Sequence, residues 1–259
     1  MARAHAVLVV LLSAVAIRPD CAAAHADQRP GTAVDYRMER LADTGRDLSG
    51  RFSATQLALL EKLNRADAVH LRRLEMLIVP LVWHDDELQY SPFPLRYQAA
   101  AAFPKLLVID QPAQAFAAYE GGQLVRWGPV SSGRQAHPTP NGLFHLNWRA
   151  RGRHSTINPL WYMEWYFNFD AARGLALHGY TLPGYPASHA CVRLLERDAM
   201  WIYQWGEGWT LDAAREVAER GTTLMIFGQY AFGAPPPWRS VAYLAYGIDL
   251  PDVSFAPTR

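Results

Sequence analysis

Between Lys105 and Phe227 the chain is written in short apolar runs separated by glycine and proline, a pattern that specifies strands rather than long helices. Leu106-Leu107-Val108-Ile109 reads as a buried strand. Ala113 to Tyr119 alternates, Gly121-Gly122 marks a turn, and Leu124 to Val130 returns as the partner strand. Pro138, Pro140 and Gly142 punctuate a loop before a strand-like stretch from Leu143 to Trp148. Leu175-Ala176-Leu177 runs directly into His178, and Thr223 to Phe227 is a last strand. Arg149 to Tyr166 is aromatic without a clear period. Glu196 to Trp205 and Asp212 to Glu219 suit helices.

The segment before this region has a different character. Arg3, an apolar run from Ala6 to Ile17 and the Ala24-His25-Ala26 cleavage pattern read as a signal peptide over residues 1–26. The run is shorter than the roughly 20 residues needed to span a bilayer core. The chain is therefore expected to be exported and periplasmic, with no stable membrane insertion after cleavage; an uncleaved anchor is the alternative. Cleavage removes Cys21 with Arg3, Arg18 and Asp20. The mature chain then has 23 basic and 23 acidic residues and one thiol, Cys191. That balance excludes nucleic-acid binding by bulk charge.

Asp27 to Gly50 is polar and reads as a loosely ordered lead-in. Ser53, with Gln56 three residues on, fits a capping box. Leu57, Leu60, Leu63, Val69, Leu71 and Leu74 follow at helical spacing, and Leu77 to Pro80 reads as a short strand. Residues 27–102 are thus a small helical segment with a linker, packed as a cap; a LysM-like glycan-binding module is the alternative. Residues 231–259 read as an irregular tail.

The chemistry concentrates around Cys191. His178 stands thirteen positions earlier at a strand end, and Ser188-His189-Ala190-Cys191-Val192-Arg193 follows a loop holding Gly184 and Pro186. A thiol nucleophile needs a base for its proton and donors for the oxyanion it creates. His178 is placed to be that base, and the amides of Ala190 and Cys191 are candidate oxyanion donors. Arg193 favours thiolate over thiol, so a resting thiolate–imidazolium pair is expected. The bland alternatives are a buried structural cysteine and a zinc site of His178, His189 and Cys191, which lacks a fourth ligand at a recognised spacing.

These residues resemble the L,D-transpeptidases with a YkuD-type catalytic domain. His178-Gly179 and Ser188-His189-Ala190-Cys191-Val192-Arg193 are similar to that family's histidine-glycine and Ser-His-Gly-Cys-Ile/Val-Arg motifs. Thr139-Pro140-Asn141-Gly142-Leu143-Phe144 is similar to its Thr-Pro-x-Gly-x-Phe loop. The resemblance covers about Lys105 to Phe227, within a catalytic domain placed at residues 103–230. It implies a mainly β fold, a YkuD-like β-sandwich or open barrel with a few helices, preceded by the small helical segment. It also implies Cys191 as nucleophile and His178 as proton carrier, oriented by the carbonyl of Gly179, with Ser188, His189, Ala190 and Arg193 supporting the site. The partners implied are peptidoglycan stem peptides, with no cofactor and no metal. Two departures stand out. Ala190 replaces the family's glycine, and the loop from His178 to Cys191 is shorter than in many members. The reaction implied is acyl transfer from a tetrapeptide stem with release of D-alanine; alternatives are hydrolysis on the same fold, or a catalytically weakened murein-binding protein.

Overall fold

The computed structural model describes residues 34–240, 243 and 247–251. The signal peptide of residues 1–26, with Cys21, lies outside the described residues.

The described chain begins with a strand-helix-helix-helix-strand unit: β1 (Tyr36–Arg40), α1 (Leu41–Thr44), α2 (Ala54–Asn64), α3 (Ala68–Leu71) and β2 (Met76–Pro80). β1 and β2 pair antiparallel, with Met38 opposite Ile78. α2 starts at the expected capping box, in which Ser53 Oγ accepts from the Gln56 amide and Gln56 Oε1 accepts from the Ser53 amide. Leu41, Leu48, Leu60, Leu71, Leu77 and Val79 form its core.

The lead-in expected over residues 27–50 is thus partly a strand. Its signal is hidden because the one buried side chain of β1 is Glu39, neutralised by Arg37 and Arg51, so no apolar alternation is written. Val69 is exposed, because α3 is a single turn and does not sustain the apolar stripe.

The main body is one nine-stranded sheet. Its strands are β3 (Lys105–Asp110), β4 (Ala115–Glu120), β5 (Gln123–Ser131), β6 (Gly142–His145), β7 (Arg149–His154), β8 (Tyr162–Asp170), β9 (Leu175–Gly179), β10 (Val192–Leu194) and β13 (Thr223–Phe227). They lie in the order β6-β13-β3-β4-β5-β10-β9-β8-β7. β13 is parallel to β3, with Met225 opposite Val108, and antiparallel to β6. The sheet curls into an open half-barrel. Phe144 of β6 thereby meets Phe169 of β8, with ring centroids 5.2 Å apart.

Both faces are covered, which is why β3 reads as a continuous apolar run. Leu107, Ile109, Phe116, Phe167 and Leu177 form the inner core, on which α4 (Glu196–Trp205) lays Ala199 and Ile202. Leu106, Val108, Ala117, Tyr119 and Trp127 form the other face, covered by Leu59 and Leu63 of α2 and by Tyr90 and Phe93. The linker expected between Trp83 and Ala102 is therefore packed against the sheet, with Tyr90, Phe93, Tyr97 and Ala100 buried.

Polar ties fasten the same seam. Lys62 is 2% exposed. Its Nζ donates to the Trp127 carbonyl at 3.1 Å and meets Glu87 at 2.8 Å. Arg65 Nε donates to the Ala113 carbonyl at 2.9 Å, and its guanidinium lies 5.7 Å from the rings of both Trp127 and Trp238. Trp238 is fully buried, so the tail expected from residue 231 is anchored over its first part.

Two further expectations are corrected. Arg149 to Tyr166 contains β7 and the start of β8, a hairpin whose alternation is masked because Arg151 and Arg153 stack on Trp165, Trp148 and Tyr166. The helix expected over Asp212–Glu219 is a small hairpin, β11 (Thr210–Leu211) with β12 (Val217–Glu219). Asp212 Oδ1 accepts from the amides of Ala214 and Glu216, and Arg215 adopts φ 65°, a turn chemistry that overrides the helical propensity of Ala and Glu.

Candidate active site

β9 and β10 lie side by side and parallel, with Leu177 opposite Val192 and His178 opposite Arg193. Cys191 immediately precedes β10. The parallel pairing carries His178, Cys191 and Arg193 to one pocket of about 380 Å³, whose walls also include Ser188, His189, Tyr180 and Trp161. Gly179 and Tyr180 also line a neighbouring cleft of about 1110 Å³ between α3 and the sheet.

His178 is buried, and its Nδ1 is 3.1 Å from the carbonyl oxygen of Gly179. A carbonyl only accepts, so Nδ1 carries the proton and Nε2 holds the free lone pair. Burial pulls the His178 pKa down to about 4; the Gly179 carbonyl opposes this and the nearby Arg193 charge adds to it. Burial likewise pushes the Cys191 thiol up, against a backbone hydrogen bond at Ala176 and the charges of Arg193 and Arg153. Both shifts favour a neutral thiol and a neutral imidazole over the ion pair expected from the sequence. Desolvation outweighs the Arg193 and Arg153 charges at Cys191 and the Gly179 carbonyl at His178.

The turn that presents Cys191 is built from three directions. Ser188 is buried; its amide donates to the Ser132 carbonyl at 3.0 Å, its carbonyl accepts from the Arg134 amide at 3.0 Å, and its hydroxyl donates to the Cys191 carbonyl. Thr139 Oγ1 accepts from the Gly133 amide at 2.8 Å and donates to the Ala190 carbonyl at 2.9 Å. Gln114, fully buried, accepts from the Ser132 amide at 2.8 Å and donates to Ser132 Oγ at 2.8 Å. Gly133 is required where it stands, because a Cβ there would lie 2.1 Å from the His137 carbonyl oxygen.

Ala190 sits at φ 73°, the left-handed region, where a side chain costs about 1–2 kcal/mol. Its methyl packs on the inner core. His189 lies between His137 and Trp161, with ring centroids 4.8 and 4.7 Å away, and its Nε2 is 2.8 Å from Arg134. An arginine only donates, so this ring nitrogen is the acceptor.

Residues 104–226 match the family model for the L,D-transpeptidase catalytic domain, YkuD. The matched stretch runs from just before β3 into β13 and is just under half of the chain. Solved structures of similar shape include an L,D-transpeptidase from Stackebrandtia nassauensis, at 22% identity and TM-score 0.40, covering 49% of this chain and 56% of that one. Another is an L,D-transpeptidase from Xylanimonas cellulosilytica, at 30% identity and TM-score 0.39, covering 48% and 60%. L,D-transpeptidase 1 of Mycobacterium tuberculosis aligns at 22% identity and TM-score 0.37, covering 49% and 62%. The chain thus spans less than two thirds of each of these structures. No curated protein matches it.

Within the stretch that the YkuD model matches, the pocket gathers His178, Ser188, His189, Cys191 and Arg193, while Ala190 packs inward and Gly179 meets His178 through its carbonyl. Among the described residues no three His, Cys, Asp or Glu side chains are grouped to hold a metal ion. Of the four aromatics between Trp161 and Tyr166, Trp161 lines the pocket, Trp165 and Tyr166 are core, and Tyr162 faces the neighbouring cleft. Sequence reasoning missed Gln114, Ser131 and Ser132 as supports of the turn. Ser131 Oγ accepts from the Ala187 amide at 3.0 Å and donates to the Tyr185 carbonyl at 2.8 Å. The available signal was a pair of serines directly after the apolar run Trp127-Gly128-Pro129-Val130.

Proposed function

We propose that this protein is a peptidoglycan L,D-transpeptidase that uses Cys191 as nucleophile and His178 as proton carrier. The observation that supports this reading is the shared pocket, in which His178 has its Nδ1 committed to Gly179 and its Nε2 lone pair available. In the first step Sγ bonds to the carbonyl carbon of a tetrapeptide stem and its proton passes to His178 Nε2. The carbon–nitrogen bond to the terminal D-alanine breaks, and the leaving amine takes that proton from His178. An acceptor amine then attacks the thioester, and its proton returns through His178 to the departing thiolate.

Because burial favours the neutral thiol and imidazole, activation comes from proton transfer during attack rather than from a standing thiolate. Imidazolium beside Arg193 is unfavourable in the buried pocket, which drives the proton onward to the leaving group. The amides of Ala190 and Cys191, on the turn held by Ser188 and Thr139, are the proposed oxyanion donors.

Export and periplasmic action belong to the same reading, as does a non-catalytic capping role for the described residues before β3. Among the described residues no helix is long and apolar enough to cross a membrane. Hydrolysis of the same thioester is the second reading, since an open pocket also admits water. Incubation with disaccharide-tetrapeptide, resolved by mass spectrometry, tests both. Cross-linked dimers with D-alanine release support transpeptidation, and D-alanine release alone supports hydrolysis. Turnover retained by Cys191→Ala refutes both.

A further inference from the structure

The cleft of about 1110 Å³ between α3 and the sheet has no part in the proton transfers of the Cys191 pocket, although Tyr180 lines both. Part of its wall is Glu61 and Asp67 to Val69 of the amino-terminal unit, outside the stretch of residues 104–226 that the YkuD model matches. The rest includes Tyr162 and Glu164 of β8 and Glu196 and Arg197 at the start of α4. Apolar surface is left open on it: Val69 is 58% exposed and Tyr162 46%. Two of its four carboxylates are committed within the fold. Glu61 pairs with Arg197, and Asp67 accepts from the amides of Val69, His70 and Leu182. The side chains of Glu164 and Glu196 are exposed and, among the described residues, have no hydrogen bond or ion pair.

An open aromatic ring beside unpaired acceptors matches a saccharide. A pyranose presents C–H groups on its faces and hydroxyls at its edges. The electron-rich face of a tyrosine meets the former, and carboxylate oxygens accept from the latter. The cleft has room for such a ligand, since sites for drug-sized molecules run to about 300–1,000 Å³. Covalent reach decides which saccharide. In a glycan-linked tetrapeptide whose last residue departs, three residues separate the attacked carbonyl from the sugar, a span of roughly 10 Å when extended. With that carbonyl at Cys191 the sugar lies beyond the Cys191 pocket, and the cleft begins at the pocket's own wall, Tyr180.

We propose that the cleft between α3 and the sheet is a saccharide subsite, which holds the glycan end of the donor while Cys191 attacks its peptide end. This rests on the acyl-transfer reading above and adds to it a substrate class: stems still attached to their sugar, in preference to free peptides. It also gives the amino-terminal unit a part in substrate binding, because α3 supplies Val69 to the subsite. Asp67 fixes α3 in that place. Its Oδ1 caps the helix, its Oδ2 accepts from the Leu182 amide at 2.7 Å, and its own amide donates to the Leu182 carbonyl at 3.0 Å.

The test measures binding without chemistry. Full-length Cys191→Ala protein is titrated calorimetrically with disaccharide-tetrapeptide and with the free tetrapeptide of the same sequence. The saccharide is expected to tighten binding about 10- to 100-fold, the combined weight of an aromatic contact and one or two hydrogen bonds. Adding Tyr162→Ala and Glu164→Ala to that protein is expected to bring the ratio below about threefold while leaving the affinity for free tetrapeptide unchanged. Equal affinities before those two changes overturn the proposal, and that comparison does not depend on either. A preference that survives both changes overturns the assignment to this cleft. An equal loss for both ligands assigns the cleft to the peptide and overturns it too, as does binding of neither ligand. Turnover by the wild-type protein is read separately. D-alanine release from both ligands with equal affinities removes the subsite and leaves acyl transfer standing, whereas saccharide-dependent binding without turnover removes acyl transfer and leaves the subsite.

Discussion

The ionisation of Cys191 gives the sharpest test of how the pocket stores its reactivity. Burial holds the thiol above its ordinary value, which is about 8.5 for a free cysteine. At pH 7 the thiolate is then the minor form. Its alkylation by iodoacetamide should rise about tenfold per pH unit between pH 6 and 8, with no plateau below about 8.5. A thiolate–imidazolium pair behaves in the opposite way: the thiolate dominates from mildly acidic pH, and the rate is flat through neutrality. His178→Gln separates the two further. Removing the base from a neutral pair leaves the alkylation profile close to wild type but abolishes turnover, whereas removing it from an ion pair shifts the whole profile to higher pH. The reaction is followed at the Cys191 peptide by mass spectrometry, because Cys21 is also a thiol of the chain. A plateau between pH 5.5 and 7.5 would refute the argument that desolvation outweighs Arg193.

Other consequences are open to direct measurement. His178 is depressed to about 4, so the unfolded chain binds a proton that the folded chain refuses. The associated stability is present above about pH 6.5 and lost as pH falls toward 4, amounting to about 3 kcal/mol, and His178→Gln should flatten this part of a urea-denaturation pH series. Asp198 is fully buried and pairs with Arg126 at 2.7 Å. Asp198→Ala leaves that guanidinium uncompensated and should cost about 3–5 kcal/mol in chemical denaturation. Thr139→Val removes the hydroxyl shared by the Gly133 amide and the Ala190 carbonyl. It should cost about 1–3 kcal/mol and lower kcat more than it raises KM, while Thr139→Ser retains both. Ala190→Gly relieves the left-handed strain but gains unfolded-state entropy, so its stability should stay within about 1 kcal/mol of wild type, read from thermal unfolding.

The strands that could be read from the sequence are those whose side chains are apolar on both faces or alternate cleanly. Leu106 to Ile109 and Thr223 to Phe227 fall in this group, as does α2 with its Ser53 cap. Those that escaped reading are stabilised by charges doing the work of apolar residues. Glu39 is buried between two arginines, and Arg151 and Arg153 cover aromatic rings in the β7–β8 hairpin. The pocket followed the same division. His178, Cys191 and Arg193 are near one another in the chain, and a short loop suffices to join them. Gln114, Ser132 and Thr139 reach the same turn through tertiary hydrogen bonds that leave no local pattern. Burial weighs against the expected ion pair for a related reason. Neighbouring charges can be read from a sequence, but the depth at which they are buried cannot.

The position of β13 carries a consequence for how such a chain is made. It is the last strand of the sheet in sequence, yet it lies between β6 and β3, and it is parallel to a strand that ends at Asp110. Until Thr223 to Phe227 arrive, one edge of β3 lacks its partner and β6 has no neighbour on that side. A chain made from its amino terminus therefore cannot complete this half-barrel midway, and the sheet closes only once nearly the whole length has been synthesised.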